Sequence, residues 1–214
     1  MAEQNIMTQN KKMFLRECSI QGACNYHHFL SGKVFLVICE DGSENTIRFF
    51  NKDFIHLSGI KSNLSDNTFF ESCKKNQLSE GNILTRQKYN WQTLKGKGIR
   101  LRNIHRIVYA DVKDSLFVFH LHTNTADFPV AIRNSITNTC VGYQNDIHQA
   151  RTLRKFTNSA CSESEKRISA IFAKSESQKK YDELVYISNF RNVYNKNGVF
   201  PDLLSESLKE RLPI

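Results

Sequence analysis

Apolar and polar positions change period part-way along the chain. Over 13–31 the residues Met13, Phe14, Cys18, Ala23, Tyr26, Phe29 and Leu30 recur at loosely helical spacing, which predicts a first helix ended by Ser31-Gly32. KVFLVICE (33–40) is a β-branched and aromatic run, Asp41-Gly42 is a turn signal, and NTIRFF (45–50) alternates with period two, so a β-hairpin is predicted. A short helix follows over DFIHLS (53–58), capped by Asn51 or Asp53 and stopped by Gly59. Ser65/Asp66 cap a further helix over 68–76, with Phe69, Phe70 and Cys73 on one face.

YNWQTLKGKG then reads as ending in a basic loop bounded by glycines. Beyond it, strands are predicted over 105–111, 115–122, 128–133, 139–144, 166–174 and 182–188, separated by polar turns. Helices and a hairpin followed by an antiparallel meander predict an α+β fold. In the tail, Leu203, Leu204, Leu208 and Leu212 form an amphipathic turn after Ser205, suited to docking on the body or on a protein partner.

Composition narrows the class. The 214 residues are 40% apolar and 24% charged, with 9 Gly and 3 Pro, which excludes collagenous and low-complexity chains. No apolar run reaches the length of a membrane helix, and the first residues lack the apolar core of a signal peptide, so a soluble, cytoplasmic protein is expected. The six cysteines are scattered and read as reduced thiols. Cys18, Cys24, His27 and His28 match no zinc-finger spacing, so no metal and no cofactor are expected.

Charge points towards partners. Lys and Arg exceed Asp and Glu by 9, and residues 1–50 contribute nothing to that excess. Between Gly81 and Ala110 stand Arg86, Lys88, Lys95, Lys97, Arg100, Arg102 and Arg106 without a single acid, interleaved with Tyr89 and Trp91. Cations and aromatic faces in one stretch suit a polyphosphate backbone, through counterion release and base stacking. Arg48, Arg154 and Lys155 are further candidate phosphate ligands.

FLSGKVFLVICEDGSENTIRFFNKDFIHLSGI and TFFESCKKNQLSEGNIL together resemble the phage-associated barnase/EndoU/colicin/RelE-like nuclease domain, fourth group. The motif is Asp53-Phe54-Ile55-His56-Leu57-Ser58-Gly59, and CVGY (140–143) and RISAIFAK (167–174) resemble later strands of the family. The resemblance spans about residues 26–188. It departs from the family at Asp53, where Asn is usual, and at TLRKF (152–156), where an uncharged strand is expected. It implies helices and a hairpin packed on a curved antiparallel sheet, in a nuclease domain over 26–190 between a helical lead-in (1–25) and a tail (191–214). It also implies a metal-independent RNase of phage or mobile-element type, with tRNA among its candidate substrates.

Such an RNase needs a base for the 2′-hydroxyl proton and cationic donors around the phosphorane-like transition state. His56 is the candidate base, with a structural histidine bonded to the sheet as the alternative. Arg151 and Thr152, in the cluster Arg151-Thr152-Leu153-Arg154-Lys155, are the candidate donors, and the Tyr143 phenol could add another. His120 and His122 alternate with apolar residues and are expected on one strand face. Two other readings of the same chain are a non-catalytic nucleic-acid-binding module and a module that binds a host protein.

Overall fold

The computed structural model describes residues 7–84, 89–144, 148–156, 161–188 and 202–212, so Arg86 and Lys88 of the basic stretch lie outside the described residues. Its helices are α1 (Gln9–Phe29), α2 (Phe54–Ser58), α3 (Asp66–Lys74), α4 (Trp91–Arg102) and α5 (Glu206–Lys209). The strands are β1 (Lys33–Cys39), β2 (Glu44–Arg48), a short β3/β4 pair (Lys61–Ser62, Ile83–Leu84), β5 (Ser115–Thr123), β6 (Ala126–Asn134), β7 (Thr139–Gln144), β8 (Gln149–Lys155), β9 (Cys161–Ser175) and β10 (Glu183–Ile187).

The α+β class holds, but the sheet is a closed, barrel-like one rather than an open curved one. Strands run β1-β2-β8-β7-β6-β5-β9, β9 also pairs with β1, and β10 adds to β9. The hairpin is therefore part of the sheet, not a layer packed on it. Among the strands of the described residues every pairing is antiparallel except the one that joins β2 to β8, through a parallel bridge between Arg48 and Gln149. Arg48 N donates to His148 O at 3.1 Å across this seam.

β1 shows why its sequence is a continuous apolar run. Phe35, Val37 and Cys39 join a core with α1–α4, while Val34, Leu36 and Ile38 on the other face lie under Tyr181, Leu204, Leu208 and Leu212. A strand buried on both faces has no polar side to alternate with. The tail thus docks on the body, and three of its four leucines are buried there.

Several local expectations hold. The β1–β2 turn is built on Asp41-Gly42, with Gly42 at φ +85° and Asp41 Oδ1 accepting from Ser43 N at 3.1 Å. Ser65 caps α3 by accepting from Thr68 N, and Phe69, Phe70 and Cys73 are buried. Two expectations fail. Residues 105–111 form a 3-10 turn (Ile104–Ile107) and further turns instead of a strand, because the buried residues Ile104, Ile107 and Val108 recur at helical spacing. The segment expected as a basic loop is the body of α4: Asn90 caps it by accepting from Thr93 N at 2.9 Å, and burial of Leu94, Lys97, Gly98 and Leu101 along one side holds it helical through both glycines.

Candidate active site at the β2–β8 seam

Past Arg48 the chain turns through a 3-10 turn (Asn51–Asp53) into α2. Asp53 does not cap this helix; its side chain is completely buried and faces β8. Gln149 Nε2 donates to Asp53 Oδ1, and Arg151 Nη1 lies 3.5 Å from the same oxygen. Asp53 Oδ2 is buried without a hydrogen-bond partner among the described residues. Burial pushes the Asp53 carboxyl up from its ordinary value, against the opposing pull of the Gln149 hydrogen bond and the charges of Arg151, Lys52 and His56.

Arg151 reaches Asp53 because of an irregularity in its strand. Gly142 pairs with Thr152 and Tyr143 with Ala150, so the β7–β8 register shifts and leaves Arg151 without a partner across the ladder. An extra residue of this kind bends the strand and re-aims its side chain. No strand was predicted over this cluster; it is a strand with one bulged cation.

One helical turn beyond Asp53, His56 is about one-third exposed, and its Nε2 stands 3.5 Å from Asp66 Oδ2 at the start of α3. Gly59 ends α2 at φ +73° and donates its N–H to His56 O. Its missing Cβ is also required by packing, since one built there would lie 2.6 Å from Lys97 Cδ. The structure therefore gathers His56, Asp53, Gln149 and Arg151 around one seam. Neither Asp53 nor Gln149 was expected from sequence as a site residue; Asp53 was read there as a helix cap and as a departure from the family motif. The only signal was an acid directly before the apolar Phe54, which also reads as a cap.

Other candidates fall elsewhere. Thr152 packs away from the Asp53 side: its Cγ2 and the Phe128 ring both crowd the position a Gly142 Cβ would take, at 2.9 and 2.8 Å, and Phe128 belongs to the outer apolar cluster. Tyr143 is fully buried against Phe49 and its hydroxyl has no partner among the described residues, so it presents no donor to a substrate; burial pushes its phenol far up. Lys97 is buried as well, donating to Leu153 O at 2.5 Å and lying over the Tyr89 ring, so it ties α4 to β8 and does not face solvent phosphate. Lys95 is exposed, while Arg100 and Arg102 are half-buried. Arg154 Nη2 donates to Thr125 Oγ1 at 3.0 Å, and Lys155 is exposed.

Arg48 pairs with Glu176 at 3.6 Å and lines a groove of 380 Å³ with Glu44, Thr46, Lys174 and Tyr181. His120 and His122 sit three strands from β8 and face Glu163 and Asp127 at 3.8 and 3.1 Å; His120, at φ +48°, interrupts the alternation expected of them. On α1, Cys18 is buried while Cys24, His27 and His28 are exposed, so these four do not converge. No group of three or more His, Cys, Asp or Glu suited to a metal occurs among the described residues. Cys39 and Cys140 are buried in strands, and burial pushes their thiols up to about 11 and about 12.

The chain thus folds as a mixed α+β domain with a closed, barrel-like sheet. The family model of the phage-Barnase-EndoU-ColicinE5/D-RelE like nuclease4 matches residues 20–190, and the chain belongs to that family, as the resemblance in its sequence implied. No significant match is found among curated proteins or solved structures. Among the described residues no helix is long and apolar enough to cross a membrane.

Proposed function

We propose that this nuclease-family chain is an endoribonuclease of phage or mobile-element type that works in the cytoplasm and cleaves RNA by attack of a 2′-hydroxyl on the adjacent phosphorus. The observation that carries this reading is the partly exposed His56, one turn along α2 from the buried Asp53 carboxylate, together with the partly exposed Arg151 that pairs with that carboxylate. With Nε2 towards Asp66, the imidazole carries its proton there and leaves Nδ1 to accept the 2′-hydroxyl proton. The 2′-oxygen bonds to phosphorus, and the 5′-oxygen leaves with its electron pair and takes a proton from water. A 2′,3′-cyclic phosphate remains. Arg151 offers paired N–H donors to the non-bridging oxygens as charge builds on them. In this scheme the chemistry is metal-independent, resting on protein groups and water.

A non-catalytic RNA-binding module on the same fold is the second reading. One observation favours it: both His56 and Arg151 are already engaged by carboxylates, Asp66 and Asp53. Incubation of the protein with total RNA in EDTA, followed by mapping of tRNA and rRNA fragments, separates the two. Fragments ending in 2′,3′-cyclic phosphate are expected from the enzyme, and intact RNA from the binder.

A further inference from the structure

α1 and α4 pack along one another, and their seam carries a row of alternating cations and rings. Lys11 Nζ lies 5.6 Å from the centre of the Trp91 ring, the Phe14 and Trp91 rings meet edge-on at 5.7 Å, and Arg102 Cζ lies 5.5 Å from the centre of the Phe14 ring. Trp91, Lys95 and Arg102 stand at i, i+4 and i+11 on α4, which places them along one side of the helix. Lys11, Phe14, Trp91 and Arg102 are all partly exposed and Lys95 is exposed.

The charge pattern of this face differs from that of the sheet. On the sheet, Lys33, Arg133 and Lys166 each hold a carboxylate, those of Glu183, Glu165 and Asp41. Lys11, Lys95 and Arg102 have no carboxylate within ion-pair distance among the described residues; α4 contains no acid and α1 only Glu17. Arg102 Nε is moreover buried without a hydrogen-bond partner among the described residues, although the Arg102 side chain hydrogen-bonds Cys18. Uncompensated cations around half-exposed rings have the chemistry of a single-strand platform, where phosphates neutralise the cations and unpaired bases stack on the rings. A duplex hides its base faces, and an acidic protein surface would use the charges but not the rings.

We infer that the α1–α4 face, through Lys11, Phe14, Trp91, Lys95 and Arg102, is a docking surface for single-stranded RNA, separate from the His56–Arg151 seam. The choice of RNA over other single strands rests on the nuclease reading; the surface itself does not. α4 joins the two regions, since Lys97 from the same helix donates to Leu153 O on β8, two residues from Arg151.

Trp91 is the only tryptophan of the chain, so its fluorescence reports on this face alone. The probe is a short oligouridylate with 2′-O-methyl riboses, which has no free 2′-hydroxyl to attack with. Saturable quenching is expected. The combined substitution Lys11→Glu, Lys95→Glu and Arg102→Gln should weaken binding tenfold or more, and should reduce the slope of log K against log salt by about 2, from roughly 0.7 per lost phosphate contact. Lys113→Glu, a reversal at an exposed site on another element, should change neither. Lys95→Glu alone carries the same test should the triple variant fail to fold, with a reduction in slope of about 0.7.

Binding without quenching, an unchanged slope in a folded variant, or equally tight and quenching binding of polyglutamate would overturn the proposal, the last assigning the face to an acidic protein. A quenching strand together with uncleaved total RNA would sink the nuclease reading and leave the surface standing. Cleavage that depends on His56, with a salt slope indifferent to these substitutions, would do the reverse.

Discussion

Arg151 Nη1 stands 3.5 Å from Asp53 Oδ1, so the bulged cation of β8 is anchored by a carboxylate with no exposure to solvent at the entrance to α2. The pair spans the parallel junction between β2 and β8, and Gln149, donating to the same oxygen, belongs to that junction. In the proposed enzyme, Asp53 would position Arg151.

Asp53→Asn keeps an acceptor for Gln149 and removes the charge that holds Arg151. The folded pKa of Asp53 is raised, so between the unfolded value of about 3.9 and the folded value the native state holds more protons than the unfolded chain. Its carboxylate therefore costs stability as pH rises through that window. The melting midpoint of Asp53→Asn relative to the wild type should rise from pH 3 to pH 7, while RNA cleavage at pH 7 falls. A midpoint difference that is flat or shrinks with pH would show that Asp53 is not under this desolvation.

His56→Ala tests proton transfer. Loss of a general base should reduce RNA cleavage by roughly 10²–10⁴-fold. The melting midpoint should shift little, because the ring is about one-third exposed and its partner is the exposed Asp66. A stable variant with undiminished cleavage would remove His56 from the chemistry, and a large drop in the midpoint with activity tracking the folded fraction would make it structural.

The hairpin turn supplies a second pH signature of opposite sign. Partial burial of Asp41 would raise its carboxyl, but hydrogen bonds from Lys166 and Ser43 and the Lys166 charge outweigh it and hold the group at about 2. A depressed folded value contributes stability above the unfolded value of about 3.9 and loses it as pH falls through about 2. Acid unfolding of Asp41→Asn, followed by circular dichroism, should show a shallower loss between those values. The effect is small, since the Asp41 side chain is nearly half exposed.

Leu208 tests the docked tail. It is 1% exposed, in a cluster with Val34, Leu36, Phe172 and Tyr181. Leu208→Ala should lower stability by about 2–5 kcal/mol in urea unfolding. A change within error would mean that the tail leaves the sheet in solution and that its leucines are open to a partner.

The hairpin, the α3 cap, the left-handed stop at Gly59 and five of the six later strands were legible in the sequence, because each is set by residues within a few positions: a turn dipeptide, a Ser before a helix, a run of period two. The motif around His56 was legible for the same reason. Residues 105–111 were misread because a β-branched composition outweighed their buried spacing of three and four.

Tertiary structure decided the closure of the sheet and with it the site. Asp53 and Gln149 meet across 96 residues, and the parallel bridge beside them leaves no period in either segment. Which cation of Arg151 to Lys155 turns inward depends on a register shift against β7, and which lysine of α4 is buried depends on the carbonyl that β8 presents. Sequence pattern records how each residue divides its neighbours between water and core. It holds no record of which distant strand supplies the partner, because the pairing free energy is shared among residues that become neighbours only when the chain closes.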